Sequence, residues 1–187
     1  MQVKTKINKS ILLVGLMGCG KSSVGALLAR HYKVPFYDSD VEIEKASNIS
    51  IADFFAKYGE AEFRKGEEKI LARLLTEQSP AVIAAGGGAF VSENTRKLAA
   101  TAALSVWLDA DIDVLVERTK NSTCRPLLKN TDIKTKLSSL LKARGRFYAQ
   151  AKLVVPTYRE NAKSTAKRAI RIVDEYFKIM EARSSDA

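Results

Sequence analysis

The sequence predicts an α/β fold in three α/β/α layers, with helices on both faces of a five-stranded parallel sheet. Three observations carry that expectation. Short apolar runs alternate with longer segments of helical spacing. The first apolar run opens directly into a glycine-rich loop. At 187 residues the chain is short for two full domains. The expected organisation is therefore one domain over 1–187, with its core over 10–183.

The elements follow in order. Residues 11–14 form a continuous apolar run ending at Gly15, which suits a strand buried on both faces. Helical spacing over 22–32 runs through Val24, Leu27 and Leu28, and Pro35, Phe36 and Tyr37 make a second, shorter extended piece. Residues 43–76 read as mostly helical, broken at Tyr58-Gly59, with apolar positions at Phe63, Ile70, Leu71, Leu74 and Leu75. A strand over 80–85 runs into Gly86-Gly87-Gly88. A helix over 92–100, a strand over 104–108 and a helix over 111–120 come next. Residues 121–132 are polar and contain Pro126, hence a loop. A helix over 137–150, a fifth strand over 153–155 and a closing helix over 162–183 complete the chain. The ends, 1–9 and 184–187, are expected to fray.

Composition narrows the function. With 46% hydrophobic and 28% charged residues the chain reads as an ordinary globular protein. No run approaches the roughly 18 apolar residues that a membrane span needs. Two cysteines, Cys19 and Cys124, fit a reducing compartment rather than a disulfide scaffold. Lys4, Lys6 and Lys9 before the apolar residues 11–17 imitate a short export signal, but cleavage there would destroy the Gly20-Lys21-Ser22 motif that follows. A cytoplasmic protein is expected. The net charge of +10 lies wholly in residues 117–187, where 17 Lys/Arg face 7 Asp/Glu. That asymmetry fits nucleic acid, an acidic surface or small polyanions entering a basic cleft.

Gly15-Leu16-Met17-Gly18-Cys19-Gly20-Lys21-Ser22 satisfies the P-loop pattern in full. Its glycines let backbone N–H groups wrap a phosphate, and the following helix adds its positive dipole end. Lys21 can reach the β- and γ-phosphates, and the Ser22 hydroxyl can coordinate Mg²⁺. A metal-serving carboxylate is expected at a strand end. Asp109, Asp111 and Asp113 lead into a helix, where charge on the first turn is role enough. Asp38 and Asp40, read as lying on one side of an extended piece, are the better pair, one facing Mg²⁺ and the other an acceptor hydroxyl.

Gly86-Gly87-Gly88 places bare backbone at the sheet edge where open α/β folds bind ligands. Arg64 and Arg144 offer paired donors for a carboxylate or phosphate. Arg125, in the polar loop, suits a lid over about 119–133 that closes on transferring phosphate.

In that order, the chain resembles the shikimate kinases from residue 11 to its last helix. The resemblance rests on the P-loop, Phe36-Tyr37-Asp38-Ser39-Asp40 with Glu42-Ile43-Glu44, and Phe63-Arg64 with Glu67-Glu68. It continues through Gly86-Gly87-Gly88, Arg125-Pro126-Leu127-Leu128, and Arg144 with Tyr148. It implies a P-loop fold of the nucleoside-monophosphate-kinase type with a lid, and a substrate-binding segment over about 38–66. The implied reaction is ATP-dependent phosphorylation of the 3-hydroxyl of shikimate, on the route to chorismate and the aromatic amino acids. It assigns catalysis to Asp40, Lys21 and Arg125. ATP falls to Gly18, Cys19, Gly20, Lys21, Ser22, Ser23, Arg118, Arg125 and Arg159. Shikimate falls to Asp40, Arg64, Gly86, Gly87, Gly88 and Arg144, and Mg²⁺ to Ser22 and, through water, Asp38. Two departures stand out. The family's Arg-x-Pro-Leu-Tyr reads Arg144-Gly145-Arg146-Phe147-Tyr148 here, and its Arg-Asn-Pro reads Arg159-Glu160-Asn161-Ala162.

ATP and shikimate are the expected partners of a monomer, without nucleic acid or membrane. The rivals are a gluconate- or nucleotide-type kinase, against which the acceptor-side set Asp40, Arg64 and Gly86-Gly87-Gly88 argues, and a nucleotide-dependent nucleic-acid binder. Against the latter, the basic residues over 163–171 are interrupted and lack aromatic partners. Cys19 and Cys124 are expected to be two inert small residues; the rival is a pair of thiols beside ATP, whose modification would inhibit and which ATP would protect.

Overall fold

The computed structural model describes residues 7–77, 80–120 and 132–185. Five strands lie in the order β2-β3-β1-β4-β5 and every pairing is parallel. They are β1 (Ser10–Val14), β2 (Phe36–Asp38), β3 (Val82–Ala84), β4 (Ala103–Ala110) and β5 (Leu153–Thr157). Leu13 of the central strand sits between Ala84 and Val106. Successive strand residues face opposite ways, yet Ile11, Leu12 and Leu13 are all fully buried. Both faces of the sheet are therefore covered, as a continuous apolar run predicts.

The helices are α1 (Lys21–Tyr32), α2 (Ser39–Ser47), α3 (Ile51–Thr76), α4 (Glu93–Ala102), α5 (Ile112–Thr119), α6 (Ile133–Tyr148) and α7 (Ala162–Ser185). On α1, Gly25 lies so near β1 and β2 that a Cβ would come within 2.5 Å of the Phe36 ring and 3.2 Å of Leu13. The same helix is tied to α7 where the Tyr32 hydroxyl donates to Asp174 at 2.9 Å. Parallel pairing brings the C-terminal ends of all strands to one edge, so the loops after β1, β2 and β3 converge there.

Several boundaries differ from the sequence expectation for identifiable reasons. The long helical stretch is two helices, because Asn48 turns left-handed and the Ser50 hydroxyl caps α3 by accepting from the Asp53 amide. The expected break at Gly59 is real, at φ 76 and ψ 175 inside α3. A one-turn 3-10 helix, Ala89–Val91, follows the glycine triplet. Residues 7–9 do not fray: Ile7 is buried in the core, and the Lys9 ammonium donates to the Thr101 carbonyl at 3.2 Å. Asp109 belongs to β4, and Asp111 stands at the α5 N-cap without a side-chain capping bond.

Candidate functional site

The loop from β1 to α1 takes its shape from three glycines, Gly15, Gly18 and Gly20, at φ 135, 85 and 100. Side chains are strained at such angles, and two positions also lack room. A Cβ on Gly15 would lie 2.7 Å from the Leu108 carbonyl, and one on Gly18 2.8 Å from Thr119 Cγ2. Helix α1 has no side-chain cap at Gly20 and no acid in its first turn, so its positive end is left for an anion. Lys21 folds back and donates to the carbonyls of Gly15 at 2.8 Å and Leu16 at 3.0 Å, with its ammonium 3.7 Å from the Cys19 sulfur. Cys19 itself is buried. Arg118 closes the far side: it donates to the carbonyls of Cys19, Tyr158 and Glu160 at 3.5, 3.0 and 2.9 Å.

Asp38 and Asp40 do not share an extended piece. The strand stops at Asp38, and Asp40 stands in the first turn of α2. Asp38 caps that helix by accepting from the Asp40 amide at 3.1 Å, while its other oxygen accepts from the Ser22 hydroxyl at 2.5 Å. One carboxylate thus both caps α2 and accepts from the Ser22 hydroxyl. Burial holds the Asp40 carboxyl above the usual aspartate value, and the charge of Asp38 adds to this; Lys21 and Arg64 act in the opposite sense. None of Asp109, Asp111 and Asp113 lines the cleft. Asp113 instead pairs with Lys134 at 2.8 Å on the surface.

Across from the phosphate loop, the glycine triplet is packed by side chains from three elements. The Gly86 amide donates to the buried Ser39 hydroxyl at 2.8 Å, so that N–H is engaged by the protein rather than offered to a ligand. A Cβ on Gly86 would overlap Glu67 Oε1 and lie 2.8 Å from Asp40 Oδ1; one on Gly88 would meet the Arg64 guanidinium at 2.5 Å. Only glycine allows these charged groups so close to the backbone. Arg64 donates to Glu67 at 2.7 Å and to Glu60 at 3.0 Å. Glu67 is 1% exposed, its Oε1 has no partner among the described residues, and burial raises its carboxyl above the usual value despite Arg64. Arg144 and the Tyr148 hydroxyl both donate to the Gly87 carbonyl, the former at 3.1 Å. Arg146 turns away, its guanidinium 4.7 Å over the Phe147 ring.

These groups line one cleft of about 710 Å³. Gly18, Gly20, Lys21, Ser22, Ser23 and Arg118 stand at one end, and Asp40, Arg64, Gly86, Gly87, Gly88 and Arg144 at the other, with Asp38 between. Met17, Val41, Ile51, Phe55 and Phe63 supply an apolar wall. Two expected contacts are not on that wall. Cys19 lies beneath the loop, and Arg159 pairs with Glu117 at 2.9 Å on the exposed surface. Arg125 and Cys124, with most of the expected lid, fall outside the described residues. Sequence reasoning assigned no role to Glu67, Ser39 or Tyr148. Glu67 was findable as the i+3 partner of Arg64 on a helix, and Tyr148 as the i+4 neighbour of Arg144; Ser39 acts across the fold and gave no local signal.

The shikimate kinase family model matches residues 17–175. A shikimate kinase of Cereibacter sphaeroides is 46% identical over 172 residues, spanning 91% of this chain and 84% of that protein. The structure of shikimate kinase from Acinetobacter baumannii in complex with shikimate superposes with a TM-score of 0.85. It is 33% identical, covering 91% of this chain and 94% of that one. A gluconokinase from Sinorhizobium meliloti superposes at TM-score 0.63 with 21% identity over 96% of this chain and 99% of its own, a likeness of fold alone.

Proposed function

The chain belongs to the shikimate kinase family, and from that premise we propose that it transfers the γ-phosphate of ATP to the 3-hydroxyl of shikimate, giving shikimate 3-phosphate and ADP. One observation carries the reading: Asp40 shares a cleft with a phosphate loop at one end and with Arg64 and Arg144 at the other. A small cyclic acid held by its carboxylate at the arginines would present a ring hydroxyl to Asp40.

The residues divide the work. The loop amides and the α1 dipole hold the β- and γ-phosphates, and Lys21 exchanges its carbonyl partners for phosphate oxygens. Arg118, with both terminal nitrogens on backbone carbonyls, keeps a flat face for the base. Arg64 and Arg144 fix the acid, and hydrogen bonds to charged groups are worth about 1.5–3 kcal/mol each. Asp40 aligns the attacking oxygen and takes its proton as the new O–P bond forms and the bond to ADP breaks, then returns that proton to water. Its raised proton affinity suits the task. On this reading Arg125 would reach the transferring phosphate from the lid, and Cys19 supports the ATP loop from beneath while Arg159 serves the adenine end.

The Ser22 hydroxyl and Asp38 carboxylate, adjacent at 2.5 Å and open to the cleft, form an all-oxygen pair that fits Mg²⁺, which Ser22 would hold directly and Asp38 through water. Mg²⁺ held there would offset charge on the phosphates.

The reading includes one catalytic domain acting as a cytoplasmic monomer without a nucleic-acid partner. Lys163, Lys167 and Arg171 lie exposed along one side of α7, the pattern of a solvated helix face, and Arg168 is spent on Glu160 at 2.6 Å. The test is incubation with ATP, Mg²⁺ and shikimate, with mass measurement of the product. Phosphorylation of gluconate or a nucleotide in its place would overturn the assignment.

A further inference from the structure

We infer that Phe147, held between Arg96 and Arg146, is a positioning residue that keeps the glycine triplet and Arg144 in register for the acceptor's carboxylate. The inference rests on the functional reading above and goes beyond it.

Phe147 and Tyr148 are consecutive residues in the last turn of α6, and they grip opposite flanks of one loop. Tyr148, fully buried, donates to the Gly87 carbonyl beside Arg144. Phe147, half-buried, carries the Arg96 guanidinium at 4.7 Å over its ring. Arg96 in turn donates to the carbonyls of Phe90 at 2.9 Å and Val91 at 2.6 Å. Those carbonyls belong to the 3-10 turn that continues directly from Gly88. The loop is thus fastened at Gly87 by one residue of α6 and at Phe90 and Val91, through an arginine, by the residue before it.

The fastening matters because Arg144 has two employments. Its Nη1 donates to the Gly87 carbonyl. An arriving carboxylate competes for that donor, and when Arg144 turns to it the loop keeps Tyr148 and the Phe147–Arg96 contact. Two hydrogen bonds already fix the Arg96 guanidinium plane, so little further order is lost in stacking on the ring. Arg146, exposed and without a carbonyl acceptor for its guanidinium among the described residues, contributes less. Small displacements of an oriented binding group have large kinetic effects, which gives this surface contact leverage on the site.

The experiment is steady-state kinetics with both substrates varied. Phe147→Ala should raise the shikimate KM roughly tenfold while kcat and the ATP KM stay within about twofold. Phe147→Tyr should restore the wild-type value. Arg96→Ala should raise the same constant, and the double variant should be no worse than the poorer single one, as expected for residues acting through one contact. A lowered melting temperature with an unchanged shikimate KM, or an equal rise in both KM values, would overturn the inference. Wild-type inactivity on shikimate would sink the functional reading instead, so the two failures are distinguishable.

Discussion

At the donor end the cleft is walled by backbone, and at the acceptor end by charged side chains. Gly15, Gly18 and Gly20 turn the first loop so that main-chain groups face the phosphate position, and even Lys21 is satisfied by carbonyls. Opposite, Asp40 comes from α2, Arg64 and Glu67 from α3, and Arg144 and Tyr148 from α6, all pressed on a glycine triplet that leaves them room. A backbone cradle recognises what every nucleoside triphosphate shares. A side-chain pocket recognises what distinguishes one acceptor from another. Replacing acceptor groups should therefore disturb chemistry and acceptor affinity while leaving nucleotide binding intact.

The hardest test of that division is Asp40→Asn. Turnover should fall by about 10²–10⁴-fold, with nucleotide binding by fluorescence titration unchanged; parallel loss of both would merge the two ends. Next is Arg64→Ala, expected to weaken acceptor affinity by roughly 10- to 100-fold from the lost charged hydrogen bonds and to leave the ATP KM alone. A change confined to ATP would move Arg64 to the wrong end. Gly86→Ala pushes a methyl into the Glu67 and Asp40 carboxylates, and overpacking of this kind costs about 1–3 kcal/mol. Its melting temperature and turnover should fall together, and a fully active, fully stable variant would mean the triplet has slack.

The smallest effect is the pH dependence of stability carried by Glu67. Burial raises its carboxyl in the folded state, so the fold favours the protonated form. The contribution is greatest at pH below the ordinary glutamate value of about 4.3 and declines as pH rises from there through the raised folded value. Glu67→Gln should gain melting temperature relative to wild type across that rise. A constant difference between the two proteins at every pH would show that Glu67 does not titrate in the fold.

The same contrast explains what was legible in the sequence. The donor end is eight consecutive residues whose spacing is itself the geometry, so reading Gly15 to Ser22 was enough. The five strands were legible because each is a short apolar run, although β4 extends through Asp109 and Ala110 once its parallel pairing with β5 continues. The acceptor end is spread over three helices: residue type marked Asp40, Arg64 and Arg144 one by one as substrate-holding candidates, and the resemblance to a known family joined them in one site. The sequence places the start of α2 two residues late, at Val41 in place of Ser39, because Asp38 both ends a strand and caps a helix. Ser39 was passed over because its partner, Gly86, lies 47 positions away in sequence.

Gly59 bends α3 at φ 76 and ψ 175, where a Cβ would meet nothing within 4 Å among the described residues. Beyond the bend lie Ile51 and Phe55, part of the cleft's apolar wall, with Phe55 stacked on Phe63 at 4.5 Å between ring centres. What forbids other residues there is handedness and not bulk, since this backbone region costs an L-residue about 1–3 kcal/mol. The mirror angles are comfortable extended ones, so D-alanine installed at 59 by chemical ligation should melt near the parent while L-alanine melts several degrees lower. Equal melting of the two epimers would show the elbow to be indifferent to chirality.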